Sequence, residues 1–443
     1  MLHYINIYFN ECNTQFGFRP NYSTTHAQYV LNEIIHDRKH KKKKTLICFL
    51  DFSKAFDKVN RVILMEKLLQ ILPPDLWYII KQYYTNTSII ITNKNTYSDN
   101  IPTTLGVKQG GPMSPKLFSI YVNDMINEIL NSNLTVKHYD LQLGIILYAD
   151  DTTIICESEE KLQAALDIIS LYCTRCEISI NAKKTKIICT YPTKCNTQII
   201  KINNEIIEYN TEFKFLGLWI MSNATSLKHT KFRCMKAMGA YYGLNNLGIN
   251  NYTMPIKLKT FLIKTYCRST LLYSMESIHL TETNIKDLQI TEGKIVKASL
   301  NLSKYTNNND LYGAISLDTI KTSILKRKLN FLLQLMENKL TLDVLQVSLD
   351  NIADSSDKSF LSQILRILNI QHLPPNLDII KEFCLTKLRI FETEDNLINE
   401  SEKSLAINYF LENRDNITNR ETLMQILTWN DNIEKRIKRP RLY

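Results

Sequence analysis

Two adjacent carboxylates, Asp150 and Asp151, lie in the segment ILYADDTTII at residues 146–155, between two runs of apolar, strand-forming residues. Successive side chains of a straight strand point to opposite faces of a sheet, so both carboxylates can serve one site only if the chain turns there. The pattern predicts a hairpin in which GIILY enters, Ala149 and Asp150 form the turn, and TTIIC leaves. The tip of this hairpin would display both carboxylates.

A third acid occurs in a matching context. Asp51 ends the short apolar run of TLICFLDF at residues 45–52, which is typical of a buried strand. Acids at the exits of buried strands can converge on one patch, and three such carboxylates repel one another unless cations offset their charge. Magnesium is the natural candidate, because it binds carboxylate oxygens together with substrate phosphates. A pair of such ions suits in-line phosphoryl transfer, so nucleotidyl transfer is the expected reaction.

The adjacent acids also have a simpler interpretation. Aspartate is common in turns because its side chain bonds to nearby backbone groups, so Asp150 and Asp151 alone could be a turn without chemistry. The matching position of Asp51 favours the catalytic interpretation.

The composition is that of a globular protein with an excess of basic residues. The chain has 443 residues, 44% hydrophobic and 22% charged, which suffices for two or more domains and excludes general disorder. A formal net charge of +10 favours a polyanionic partner such as nucleic acid. The start lacks a secretory pattern, no run reaches the roughly 18 apolar residues of a membrane span, and the cysteines form no disulfide framework. We therefore expect an intracellular, soluble protein with no membrane partner.

Strand and helix signals alternate up to about residue 220 and are mostly helical beyond it, which predicts an α+β fold. Ser114 is expected to cap a helix that starts at Pro115.

Cys173 and Cys176 have no second pair nearby to complete a zinc site, which favours buried helix cysteines. The segment SLKHTKFRCMKAMGAYYGL at 226–244 predicts a helix whose basic and aromatic groups suit nucleic acid or plain solvation.

Several segments occur in the order seen in the reverse transcriptases of non-LTR retrotransposons. They are FLDFSKAFDKVN (49–60), GVKQGGPMSPKLFSIYVND (106–124), YADD (148–151), ISINAKKTK (178–186) and FKFLGLWI (213–220). Upstream, QFGFRPNYSTTHA (15–27) resembles the segment that precedes the first catalytic strand in that family. The resemblance covers roughly residues 12–240, and the ordered set is far more specific than YADD alone.

The resemblance implies a right-hand polymerase fold, in which a palm is built from an antiparallel sheet with helices on one face. It assigns residues 1–44 to a residual fingers segment and 45–220 to the palm with inserted fingers elements. Residues 221–303 correspond to a helical thumb, and 304–443 to a C-terminal helical region of unknown role. The oligomeric state is left open.

The resemblance also implies catalytic roles for individual residues. Asp51 and Asp150 resemble the principal metal ligands, Asp151 the third acid, and the carbonyl of Phe52 an extra ligand, for two Mg²⁺ ions that Mn²⁺ could replace. Lys184 resembles the lysine that assists the leaving pyrophosphate. On the sequence alone, a solvated lysine is an equal alternative.

Other positions resemble contacts to the incoming nucleotide. Phe56, five residues after Asp51, resembles a steric gate that crowds a ribose 2′-hydroxyl, and the alternative is an ordinary core aromatic. Gln109 and Gly110 resemble the loop beside the nascent base pair, where a glycine permits close backbone approach. Arg19, in the QFGFRP segment, is assigned to the same substrate site.

A last segment resembles the contact to the primer. Phe215, Leu216 and Gly217 correspond to the hairpin that grips the primer end in this family. The expected partners are therefore an RNA template, a DNA primer and deoxynucleoside triphosphates.

Three functional hypotheses follow. The first is an RNA-directed DNA polymerase of a non-LTR retrotransposon. The second is a truncated, inactive element copy that retains nucleic-acid binding, because residues 1–14 contain no counterpart of the family's arginine-bearing fingers strands. The third is an RNA-templated RNA polymerase, which Phe56 disfavours because its ring would clash with a ribonucleotide.

Overall fold

The computed structural model describes residues 1–94, 96–191, 198–222, 226–252, 254–315, 317–352, 359–370 and 376–397. The chain divides into two compact units. One comprises Met1–Ala224 with Asn338–Val344, and the other comprises Thr225–Glu337 with Leu345–Tyr443. The finer division into fingers, palm, thumb and C-terminal region stays a prediction.

The helices of the first unit flank its strands along the sequence. They are α1 (Leu2–Tyr8), α2 (Thr24–His40), α3 (Arg61–Ile71), α4 (Pro74–Tyr84), α5 (Ser114–Asn131) and α6 (Glu159–Arg175). Later helices are α7 (Leu227–Gly243), α8 (Ile256–Leu262), α9 (Ser269–Leu271), α10 (Glu282–Ser299), α11 (Asn308–Ala314), α12 (Ile320–Glu337), α13 (Lys339–Asp350), α14 (Phe360–Ile367) and α15 (Leu377–Leu397). A 3₁₀ turn covers Leu244–Leu247, and a π-helical stretch, Ile263–Arg268, joins α8 to α9.

All the strands described belong to the first unit. They are β1 (Thr45–Leu50), β2 (Ser88–Ile89), β3 (Thr92–Asn93), β4 (Thr96–Tyr97), β5 (Ile101–Pro102), β6 (Lys137–His138), β7 (Leu141–Gln142), β8 (Ile145–Tyr148), β9 (Asp151–Cys156), β10 (Lys186–Tyr191), β11 (Lys201–Ile202), β12 (Glu205–Ile206), β13 (Glu208–Tyr209), β14 (Glu212–Phe215) and β15 (Leu218–Met221). The short strands pair as β2–β5, β3–β4, β6–β7, β11–β12 and β14–β15.

The central sheet has the order β13-β10-β1-β9-β8. Strand β1 pairs antiparallel with both β9 and β10, and β8 and β9 form an antiparallel hairpin. The predicted antiparallel sheet is confirmed, with one parallel pairing between β10 and β13 at its edge. The hairpin predicted around the adjacent acids is the β8–β9 hairpin.

Strand β1 is covered on both faces, as its apolar run predicts, since all of its residues are buried. Leu46, Cys48 and Leu50 join the core that contains α5 and α6, and both helices contact the sheet. On the other face, the ring of Phe49 stacks on Phe213 of the β14–β15 hairpin at a centroid distance of 4.3 Å. Helix α2 also contacts β8 and β10. The strand that leads to Asp51 is therefore held between packed layers.

Three local expectations have different outcomes. Ser114 does not cap α5: the cap residue is Met113, and the Ser114 hydroxyl donates to the Lys108 carbonyl instead. Cys173 and Cys176 are buried free thiols in the first unit's core, as expected. Cys189 is disulfide-bonded, a pairing that the spacing of the cysteines did not indicate. Within the described ranges, no helix is both long and apolar enough to cross a membrane.

The second unit contains a buried ion pair. Arg268 Nε and Nη2 donate to the carboxylate of Glu292 at 2.5 and 2.7 Å, and both side chains are buried. The guanidinium also donates to the Asp318 carbonyl and the Ser323 hydroxyl. Because each charge depends on this network for its solvation, losing one partner leaves the other buried and uncompensated.

We expect Arg268→Ala to lower the free energy of unfolding by about 3–5 kcal/mol, because Glu292 would be left buried without a cation. Arg175→Ala is the matched control: Arg175 makes a similar two-oxygen contact with Glu128 at 2.7 and 2.8 Å, but both side chains are exposed. Urea unfolding of both variants measures the difference. An equal loss of unfolding free energy in the two variants would show that the buried Arg268–Glu292 pair contributes no more to stability than the exposed Arg175–Glu128 pair.

Candidate active site

The strand register brings the three acids to one edge of the sheet. In the β1–β9 pairing Leu50 lies opposite Thr152, so the next position along places Asp51 beside Asp151. In the β8–β9 hairpin Tyr148 lies opposite Asp151, which leaves Ala149 and Asp150 as a two-residue turn. The turn begins with a positive φ of 58° at Ala149. The predicted tip is thus formed, and it lies at the end of β1 that carries Asp51.

The acids influence one another electrostatically. Partial burial, together with the negative charges of Asp150 and Asp51, raises the pKa of Asp151 to about 6. The pKa of Asp150 is raised as well, chiefly by burial and in part by Asp51. Although its carboxyl group is partly buried, Asp151 taken as a whole residue is exposed to solvent. Neighbouring carboxylates with raised pKa values form a site that gains stability when positive charge enters it.

The chemistry of these donors fits a divalent cation. Among the described residues the side chains do not form a ready-made group of three or more His, Cys, Asp or Glu ligands, so the carboxylates would have to converge around an ion. The donors are all carboxylate oxygens, which are the ligands preferred by Mg²⁺. Burial is the main cause of the raised pKa values of Asp150 and Asp151, and the charges of the neighbouring acids add to it, so a bound cation would offset the cost of keeping both carboxylates ionised.

The backbone beyond Asp51 is arranged for an additional oxygen donor. Phe52 forms an antiparallel bridge with Ile180, whose flanking bonds run from Ser53 N to Ser179 O at 2.7 Å and from Asn181 N to Asp51 O at 2.8 Å. In such a pair the central residue's own carbonyl points away from its partner. The Phe52 carbonyl therefore faces away from Ile180, although the Phe52 side chain is buried.

Lys184 lies close to the first acid. Its Nζ is 3.8 Å from Asp51 Oδ2, and 70% of the lysine side chain is exposed. The turn that carries it is fixed to β1, because the Asp51 N–H donates to Thr185 Oγ1 at 3.3 Å. A cleft of about 570 Å³ opens here, lined by Asp51, Asp151 and Lys184 and by the β14–β15 hairpin.

Phe56 occupies a half-buried position between core and surface. Its ring stacks on Phe118 of α5 at 4.5 Å, and the exposed ring of Phe18 meets it edge-on at 6.3 Å. The segment after Asp51 forms a turn, with the Asp57 N–H donating to the Lys54 carbonyl at 3.0 Å. Both interpretations of Phe56, gate and core aromatic, are consistent with this position.

The loop before α5 packs against the segment that carries Phe56. The Val107 N–H donates to the Phe56 carbonyl at 2.9 Å, and Gln109 Nε2 donates to Asp57 Oδ1 at 2.6 Å. Gly110 has a φ of 77°, with no protein atom within 4 Å of the position of an added Cβ. Glycine is therefore required here by its backbone angle, and no close protein neighbour explains it.

The predicted primer hairpin has a sharply defined turn. Leu216 and Gly217 both have positive φ values, 45° and 84°, between the paired residues Phe215 and Leu218. Two positive φ values match a type I′ hairpin. Gln28 of α2 donates to the Leu216 carbonyl at 2.9 Å and fixes the tip.

Two predicted contact residues have structural roles. Phe215 is only 2% exposed and packs on Phe49, so it anchors the hairpin, and only the turn residues are accessible to a primer. Arg19 Nη1 donates to the carbonyls of Cys12 and Gln15 at 2.9 and 3.1 Å, and its guanidinium lies over the Tyr22 ring. These contacts explain Arg19 without a substrate, and its contact with a nucleotide stays a prediction.

Sequence reasoning missed two residues next to this site. Gln15 is buried against the turn at Ala149, and Phe18 exposes 60% of its surface beside Phe56. Phe18 also adopts a φ of 59°, which is unusual for an aromatic residue. Neither contact follows from local pattern, because each joins segments distant in sequence.

The sequence of residues 4–220 matches the family model described as reverse transcriptase (RNA-dependent DNA polymerase). The matched range contains all three acids, Lys184 and the β14–β15 hairpin as far as Ile220. The chain carries a reverse transcriptase domain. Reverse transcriptases generally use divalent metal ions, in agreement with the donor chemistry of the site.

The relatives of this reverse transcriptase domain come from mobile elements. The RNA-directed DNA polymerase from mobile element jockey of Drosophila funebris is 25% identical over 311 residues, which is 67% of this chain and 33% of that protein. A probable RNA-directed DNA polymerase from transposon BS of Drosophila melanogaster is 25% identical over 324 residues, 70% of this chain and 35% of that protein. The chain thus spans about a third of the length of these curated relatives.

Among solved structures, telomerase from Candida albicans in complex with a TWJ fragment of telomeric RNA aligns with this chain at a TM-score of 0.39 and 10% identity. The alignment covers 87% of this chain and 55% of that one. The assignment of the reverse transcriptase domain rests on the sequence match of residues 4–220.

Proposed function

We propose that the protein is an RNA-directed DNA polymerase of a non-LTR retrotransposon, which adds deoxynucleotides to a primer 3′-hydroxyl. The observation that carries the proposal is the strand register, which brings Asp51, at the end of β1, beside Asp151 and the turn residue Asp150. These are the three residues to which the resemblance to non-LTR reverse transcriptases assigns the metal-binding acids. A simple turn dipeptide would not require a third acid at the end of the neighbouring strand.

Asp51, Asp150, Asp151 and the Phe52 carbonyl would hold two Mg²⁺ ions, with Mn²⁺ as a substitute. When bound, these ions supply the positive charge that activates the primer hydroxyl and neutralises the transferred phosphate. Asp51 would contribute its carboxylate from the end of β1 and Asp150 from the tip of the β8–β9 hairpin, so the site requires both elements in register. Asp151 would be the third acid of this site, and its carboxylate lies next to the charges of Asp150 and Asp51, which together with burial raise its pKa to about 6.

Lys184 would assist the departing pyrophosphate. Its exposed ammonium group already lies 3.8 Å from Asp51, at the mouth of the cleft. A lysine there can place positive charge next to a leaving phosphate or donate a proton to it. Its exposure keeps it free to move from Asp51 to an incoming triphosphate.

The incoming deoxynucleotide would lie against Phe56, Gln109 and Gly110. Phe56 and the loop that carries Gln109 are joined through Val107 and Asp57, so gate and base pocket form one connected wall. The open space at Gly110 leaves room for a base or sugar. Arg19 would contribute indirectly, because its bonds to the Cys12 and Gln15 carbonyls hold the turn between them. A direct contact between Arg19 and the nucleotide is a further part of the proposal.

The proposed partners are an RNA template and a DNA primer, bound within the cell. The turn at Leu216 and Gly217 would contact the primer end, and residues 221–303 would serve as the thumb. In α7, Lys231 and Lys236 are exposed, whereas His229 is buried. The exposed lysines are suited to phosphate contacts, which would make binding sensitive to salt.

Primer extension by the purified chain tests this function. A labelled DNA primer on an RNA template, with Mg²⁺ and the four deoxynucleotides, should give products that reach the template end. Arrest after chelation with EDTA is expected, because the acids alone cannot stabilise the phosphate charge. Tight binding of the same primer–template without any extension, in Mg²⁺ or Mn²⁺, would instead identify an inactive copy that retains nucleic-acid binding.

A further inference from the structure

We propose that Gln15 and Gly17 are positioning residues, which hold the tip of the β8–β9 hairpin so that Asp150 and Asp151 face the reaction site. The inference rests on the proposed polymerase function and adds to it residues outside the catalytic motifs. We call the segment Thr14–Gly17 the hairpin clamp. Four observations support its role.

The first observation is the side chain of Gln15, which is 1% exposed. The Ala149 N–H donates to Gln15 Oε1 at 3.0 Å, and Gln15 Nε2 donates to the Ala149 carbonyl at 3.4 Å. The Gly17 N–H also donates to Gln15 Oε1, at 2.9 Å. One amide side chain thus satisfies both backbone groups of the residue that immediately precedes Asp150.

The second observation is that the clamp pairs with the open edge of the sheet. Strand β8 is the last strand in the sheet order. The Leu147 N–H donates to the Thr14 carbonyl at 2.9 Å, and the Phe16 N–H donates to the Leu147 carbonyl at 2.7 Å. Gln15 therefore forms a parallel bridge with Leu147 and covers polar backbone groups that an edge strand leaves open.

The third observation is the closeness of Gly17 to the turn. A Cβ added at Gly17 would lie 2.3 Å from the Ala149 backbone nitrogen and 3.1 Å from its Cα. Both neighbours are backbone atoms, so the overlap could be relieved only by moving the turn or the clamp. Glycine at this position is required by space, and its φ is not in the left-handed region.

The fourth observation is the conformation that the clamp stabilises. Ala149 has a φ of 58°, which an alanine rarely adopts. Such a residue persists when its surroundings fix it, and strained residues of this kind cluster at active sites. The bonds from Gln15 fix Ala149, and the direction of the next residue, Asp150, depends on that angle.

The clamp is itself anchored to the rest of the first unit. Arg19 donates to the Cys12 and Gln15 carbonyls, as described above. Lys116 of α5 pairs with Glu11 at 2.7 Å, and both side chains are 9% exposed. A displacement of the hairpin tip would therefore have to break contacts on both sides of Gln15.

The test compares Gln15→Ala with Gln163→Ala in the full chain. Gln163 is a matched control, because it bridges the N–H and carbonyl of Lys201 at 2.9 Å each, on α6 and away from the acids. We expect Gln15→Ala to slow extension at saturating substrates at least about tenfold and to raise the Mg²⁺ concentration for half-maximal rate by a similar factor. Gln163→Ala should change neither.

Hydrogen exchange gives a readout that does not require activity. In Gln15→Ala the peptide covering residues 145–152 should exchange at least about tenfold faster, because the Ala149 N–H loses its acceptor. Gly17→Ala is a second variant, which should show the same local effect while Gln15 is retained. Thermal melting identifies any variant that fails to fold.

The possible outcomes separate the two proposals. An inactive parent chain contradicts the polymerase function, and hydrogen exchange in Gln15→Ala then still decides the clamp. An active parent with Gln15→Ala indistinguishable from Gln163→Ala, in Mg²⁺ dependence and in exchange of residues 145–152, overturns the clamp. A fall in melting temperature with an unchanged Mg²⁺ dependence also overturns it, because that result describes a structural role alone.

Discussion

Asp150→Asn should reduce RNA-templated primer extension on the order of a thousandfold or more, because it removes a ligand charge from the proposed metal site. The substitution keeps the size of the side chain, so the turn with Ala149 can still form. It also removes a carboxylate whose pKa in the folded chain is raised, chiefly by burial and in part by the charge of Asp51. The melting temperature should therefore be unchanged or higher.

Asp167→Asn serves as the matched control. Asp167 lies on the exposed side of α6, where it accepts a hydrogen bond from Gln163 at 2.8 Å. Single-turnover extension rates and thermal melting of the parent and both variants give the comparison. Activity of Asp150→Asn within a few-fold of the parent would contradict its assignment as a metal ligand.

If Phe56 is the proposed steric gate, Phe56→Ala should raise the incorporation of ribonucleotides relative to deoxynucleotides by about ten- to a hundredfold, because the ring would then fill the space that a 2′-hydroxyl needs. The ring is half-buried, and its other side is supported by Phe118 at 4.5 Å. Metal dependence should not change, since Phe56 contributes no ligand. Competing ribo- and deoxynucleotides in one primer-extension reaction give the ratio directly.

The core-aromatic interpretation of Phe56 predicts a different result, namely a loss of about 3–5 kcal/mol in folding stability without a change in sugar preference. Phe331→Ala is the control for stability alone, because Phe331 is 2% exposed in the second unit. Melting is measured for both variants. An unchanged sugar ratio in a folded Phe56→Ala protein would remove Phe56 from the substrate site.

The hairpin and the buried strand could be predicted from the sequence because their signals are local. The runs GIILY and TTIIC lie on either side of Ala149 and Asp150. The structure pairs Ile145–Tyr148 with Asp151–Cys156 across that turn. The run before Asp51 predicts a strand buried on both faces, which β1 is. Local apolar patterns therefore sufficed to locate all three acids at strand ends.

The supports of the site could not be predicted, because they join segments far apart in the chain. Gln15 meets Ala149 across 134 positions, and Gln28 meets Leu216 across 188. The resemblance places Phe215 in the hairpin that grips the primer, and only its ring contact with Phe49 of β1 shows that it is buried. Ser114 had the type and position of a helix cap, but its hydroxyl found a carbonyl of the preceding loop.

The most direct test of the central claim, that Asp51, Asp150 and Asp151 bind the catalytic metals, is anomalous scattering from Mn²⁺ in crystals of the chain with primer, template and a non-reactive deoxynucleotide. We expect anomalous peaks within bonding distance of the carboxylates of Asp51 and Asp150, at the tip of the β8–β9 hairpin. These peaks should weaken or vanish in Asp150→Asn. Crystals of the parent complex with bound nucleotide but no manganese peak at these carboxylates would contradict the claim.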